Sequence, residues 1–152
     1  MNAEERGELA AQYFLKGYNC AQSVAMAFAD LTPLSEDEIR RASHAFGGGF
    51  GRTRGMCGAL ASCGLILGFL LPETGDIQAD KTELYSRVQE MYRLFENTFG
   101  TTKCEKLLEN VQSVKGGFAP QPRDEEYYAT RPCLKIVRKT AEIGRASCRE
   151  RV

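Results

Sequence analysis

Apolar positions recur at helical spacing along most of this chain, and no stretch alternates with a period of two. Leu9, Ala10, Tyr13 and Phe14 predict a first helix over residues 3–16, stopped by Gly17. Asn19 is placed to cap a second helix over 20–30, with Val24, Ala27, Phe28 and Leu31 on one face and Pro33 beyond it. Ser35 and Glu38 have the form of a capping box, which starts a third helix running to about residue 45. The segment FGGGFGRTRGMCG, residues 46–58, carries too much glycine for regular structure and reads as a loop. It leads into a fourth helix over 57–71, ended by Pro72 and expected to be central and buried. Asp76 or Asp80 opens the fifth and longest helix, which reaches residue 99. Its stripe is Leu84, Val88, Met91, Tyr92, Phe95 and Phe99, and Gly100 stops it. Thr101 or Thr102 caps a short sixth helix, residues 115–122 read as a loop, and Pro132 starts a last helix over 133–141. The expected fold is an all-α, single-domain bundle of about six to seven helices.

Composition narrows the function classes. At 152 residues the chain can bury a core without disulfide staples. Twenty basic residues balance twenty acidic ones, so there is no basic footprint for nucleic acid. The uncharged run over residues 56–72 falls short of the roughly 20 apolar residues a membrane span needs. The start has no signal-peptide pattern, so the expected location is the cytoplasm, where cysteines are thiols, metal ligands or catalytic groups.

The last eleven residues, EIGRASCRERV, are those expected from in-frame read-through of a common sequencing adapter. The native domain is therefore taken as residues 1–141, with 142–152 a non-native tail. That removes Cys148, leaving five cysteines, and changes the charge count to 17 basic against 18 acidic.

Four of those five, Cys20, Cys57, Cys104 and Cys133, each fall at the start of a different predicted helix. Free N–H groups there favour a thiolate. No CxxC pair occurs, which excludes a zinc ribbon, a ferredoxin-type loop and a thioredoxin-like motif. The fold itself has to bring the thiols together. Cys57, beside the glycine-rich backbone, is expected to be the most activated, with Cys20, Cys104 or Cys133 resolving. Cys63, six residues after Cys57 in the same helix, faces another way and reads as packing.

This set of residues, Asn19-Cys20-Ala21, the GGGFGRTRGMCGA segment, Cys104 after Phe-Gly, and Cys133, resembles the C_GCAxxG_C_C family of redox-active proteins from about residue 10 to 141. Cys20, Cys57, Cys104 and Cys133 match its four cysteines, and Gly58 and Ala59 match its glycine and alanine. Ser62 stands where the motif has its last glycine. The resemblance implies redox chemistry without naming a substrate or redox partner.

Two chemistries fit such a set. One is thiol–disulfide or electron-transfer chemistry. The other is a zinc ion or iron–sulfur cluster held by the same four cysteines. A structural helical module is the third reading. Gly47, Gly48, Gly49, Gly51 and Gly55 would shape the backbone beside Cys57. Arg52 and Arg54 allow anion contacts there, but neither G-x-G-x-x-G nor a P-loop is present. His44, the single histidine, lies near enough in sequence to meet Cys57, with packing as the plainer reading. Tyr127 and Tyr128 read as a loop or helix edge. Gly64 and Gly68, one turn apart, read as a close-packing face, within the chain or across a homodimer.

Overall fold

The structure is a computed structural model and describes residues 1–111 and 116–148. Among them are eight helices and no strand. They are α1 (Ala3–Leu15), α2 (Cys20–Met26), α3 (Glu36–Ser43), α4 (Gly58–Leu70), α5 (Ile77–Phe99), α6 (Cys104–Leu107), α7 (Glu125–Thr130) and α8 (Cys133–Cys148). The predicted starts are largely those observed, because local hydrogen bonds set them. Asn2, Asn19 and Ser35 each form a capping box, with Glu5, Gln22 and Glu38 respectively. Asp76 caps α5, and Gly100, at φ 85°, closes it.

Three departures have physical causes. α2 ends at Met26, short of the predicted residue 30. The Arg6 guanidinium takes the carbonyl of Ala27 at 2.8 Å and pairs with Asp30, while residues 29–31 form a 3-10 turn. The helical pattern of the sequence does not mark α7 as a separate element. Asp124 caps it by accepting from Tyr127 N, and its Tyr127 and Tyr128 rings pack on Phe14 of α1. α8 runs past residue 141 to Cys148. On that extension a Cβ on Gly144 would sit 3.4 Å from Phe28 and 3.7 Å from Cys63 Sγ, and Arg145 Nε donates to Met1 O.

α2 lies at the centre, with residues 21–28 all buried. α4 packs across it, and the joint is tight where Ser62 replaces the motif's glycine. Ser62 is fully buried and its Oγ donates to Ala21 O at 2.6 Å. Phe14 and Ala10 from α1, Val24 and Phe28 from α2, Leu60 and Ile66 from α4, Met91 and Phe95 from α5 and Val137 from α8 complete one core. Among the described residues, nothing lies within 4 Å of a Cβ built on Gly64 or Gly68, so neither marks a close helix contact there. No helix among the described residues is long and apolar enough to cross a membrane.

A four-cysteine cavity

The glycine-rich segment is a tight coil rather than a helix. Gly48, Gly49, Phe50, Gly51, Arg52 and Arg54 all have positive φ. Two attachments hold it. Asn19 Nδ2 donates to His44 O at 2.9 Å, tying the loop entrance to the start of α2. At the exit, Cys104 N donates to Gly55 O at 2.7 Å and Cys57 N to Thr102 O at 2.8 Å, tying it to the start of α6. At Gly49, with φ 67°, a Cβ would come within 2.7 Å of both Cys104 Cβ and Gly55 N.

These ties bring four helix starts to one place. Cys20, Cys104 and Cys133 are the first residues of α2, α6 and α8, and Cys57 is the N-cap of α4. All four line a narrow cavity of about 70 Å³, together with Phe14, Gly48, Gly58 and Ile136. Of the other predicted positions, Gly47 and Gly51 line an adjoining vestibule, and Ala59 is buried in the core. None of the cysteines described is in a disulfide.

The thiols differ in acidity. Cys57 donates a hydrogen bond to Cys20 Sγ, and the backbone N–H groups of Gly48, Ala21 and Gly58 also point at that sulfur. Together they outweigh burial and pull Cys20 down to about 6, a shift that favours its thiolate. Cys57 goes the other way, raised well above the usual thiol range by its bond to Cys20, by burial and by the Cys20 charge. Within this pair the lowering falls on Cys20 and the raising on Cys57, whereas the sequence reading favours Cys57. Both sit at helix starts, but only 6% of Cys57 is exposed, and Cys57 is the donor of the shared proton. Burial lifts Cys104 despite a contact from Arg54 Nη1 to its sulfur at 3.5 Å, and lifts Cys133 to about 12 with help from the Cys20 charge.

A family model described as "Putative redox-active protein (C_GCAxxG_C_C)" matches residues 18–146. The chain belongs to this family. No curated protein and no solved structure matches it. The four cysteines that the sequence reading matches to this family's motif are the four that meet in the cavity, and Gly58, matched to its glycine, lies against Cys20. Among the described residues, no three His, Cys, Asp or Glu side chains are grouped to hold a metal ion.

Cys63 is not part of the cavity. It is 5% exposed and packs beside Phe28, Ile66 and Met91. Cys63→Ser places a hydroxyl in this apolar setting. The expected loss is about 1–3 kcal/mol in denaturant unfolding, with Cys20 alkylation kinetics unaltered. His44 lines the vestibule rather than the cavity, so it does not join Cys57.

Arg54 and Tyr127 also line the cavity, as do two residues that the sequence reading does not single out, Arg123 and Arg131. Arg123 stacks 4.3 Å from the Phe14 ring centroid and 4.7 Å from that of Tyr127, and Arg131 lies 4.5 Å over Tyr127. Arg131 stands two residues before Cys133, and that proximity is the one available sequence signal.

Proposed function

We propose that this is a thiol–disulfide redox protein in which Cys20 attacks and Cys57 resolves. The observation that carries the reading is that Cys20 and Cys57, at the starts of two helices, line one narrow cavity, where the Cys57 thiol favours a charged Cys20 sulfur. Cys20 displaces one sulfur of a substrate disulfide. The S–S bond breaks, the first thiolate product takes a proton from solvent, and a mixed disulfide remains on Cys20. Cys20 then carries no charge. Two of the three causes that held the Cys57 proton, the bond to Cys20 and the Cys20 charge, disappear with it. The N–H groups of Ala59 and Leu60 still favour a Cys57 thiolate. Cys57 gives its proton to solvent and attacks Cys20 Sγ, and the second product leaves as a thiolate. Two electrons pass to the substrate, and a Cys20–Cys57 disulfide forms. Loss of the Cys20 charge also relieves one cause of the high Cys133 and Cys104 values, which supports a second-couple role for that pair.

The test is mild oxidation of the reduced, full-length protein followed by peptide mapping. A Cys20–Cys57 linkage, reversible by a dithiol reductant, is expected. Alkylation of the reduced protein should label Cys20 first, with a rate that is level above pH 7. It should fall about tenfold per pH unit below a midpoint near 6, because the thiolate is the nucleophile. Stoichiometric zinc or iron after anaerobic purification, with no thiol oxidised, would overturn the reading in favour of a metal centre held by the four cysteines.

A further inference from the structure

A wider vestibule of about 280 Å³ lies beside the cavity, shares Asn19, Gly48, Arg54, Arg123, Tyr127 and Arg131 with its wall, and is bordered by Arg52 as well. Among the described residues, no Asp or Glu lines either space. In a chain with equal numbers of acidic and basic residues, this is segregation and not composition. Arg54, Arg123 and Arg131 pair with no carboxylate among the described residues. Arg123 is committed as a wall, donating to Phe14 O at 3.2 Å and Tyr18 O at 3.0 Å. Arg54 and Arg131 keep donors to spare. Arg54 Nη2 and Arg131 Nε are buried and lack a hydrogen-bond partner among the described residues. Burial and the nearby Arg54 and Arg131 charges push the Arg52 guanidinium below its usual range. Like charges gathered in a partly buried space repel, and an anion relieves the repulsion.

We infer that the vestibule recognises a small disulfide with anionic end groups, which Arg54 and Arg131 hold while its S–S bond enters the cysteine cavity. The inference rests on the thiol–disulfide reading above and names its substrate class. The narrow, chiefly apolar inner cavity admits sulfur and methylene groups, and the wider vestibule keeps charged ends among the guanidinium donors, which match carboxylate geometry. The chemistry is the pair of displacements already given, with the anionic disulfide reduced to two thiols and Cys20–Cys57 oxidised.

Three small disulfides separate the outcomes: dithiodiglycolate, a dianion; bis(2-hydroxyethyl) disulfide, which is neutral; and cystamine, a dication. Single-turnover oxidation of Cys20 is measured at pH 7 and each rate is divided by that of a small free thiol. The dianion is expected to react at least tenfold faster than the neutral disulfide, and the dication slower than the neutral one. The dianion-to-neutral ratio should drop at high salt and in the R54Q/R131Q double variant. On the unaltered protein, succinate at constant ionic strength should slow the dianion, a readout that survives if the double variant does not fold. A ratio at or below one overturns the inference, as does a ratio indifferent to succinate, while reaction with the neutral disulfide keeps the thiol reading intact. No reaction with any of the three overturns that reading, and this inference with it.

Discussion

Replacing Cys57 by Ala is expected to raise the Cys20 alkylation midpoint from about 6 toward the ordinary thiol value of about 8.5, and to slow the reaction at pH 5 by roughly 15- to 30-fold. The Cys57 hydrogen bond is the largest cause of the low Cys20 value, so its removal leaves only backbone donors against burial. Two effects then oppose each other. For a full shift, the thiolate fraction at pH 5 falls by roughly 300-fold. A more basic thiolate is intrinsically faster, by roughly 10- to 20-fold for a Brønsted slope of 0.4–0.5. Loss of thiolate wins at pH 5, whereas near pH 7 the two almost cancel. The assay must therefore be run in acid. An unmoved midpoint, or mapping that finds Cys57 labelled before Cys20 in the unaltered protein, would sink the assignment of roles.

Gly58→Ala is expected to lower stability by about 1–3 kcal/mol and Tm by several degrees, and to weaken the Cys20 thiolate at the same time. A Cβ at this position would fall 2.4 Å from Phe46 O and 2.9 Å from Cys20 Sγ. Phe46 O is backbone and cannot swing aside, so α4 or the glycine-rich coil must move. Either movement takes the Gly58 N–H away from Cys20, where it helps hold the negative charge. Calorimetry reads the first effect and the pH dependence of alkylation the second. A variant with unchanged Tm and unchanged midpoint would show that the close approach carries neither function.

Local chemistry makes much of this molecule legible. Asn19, Ser35, Asp76 and Gly100 act on residues three or four positions away, so their helix ends can be read directly. The same locality puts four cysteines at four helix starts. α7 escapes such a reading because the Tyr127 and Tyr128 rings are held by Phe14, more than a hundred positions earlier. Sequence favours Cys57 over Cys20 because glycine-rich sequence adjoins it. The N–H groups of that region in fact serve Cys20, since the coil folds back over α2.

Residue type and short-range spacing are enough to set the helices, the place of each cysteine at a helix start and the membership of a redox-active family. Only the folded chain brings the four thiols into one cavity, sets Cys20 and Cys57 against each other in acidity and gathers arginines beside them. Those properties arise where segments distant in sequence meet. A proton shared between two sulfurs, or a field from several guanidinium groups, exists only once the chain has closed around it.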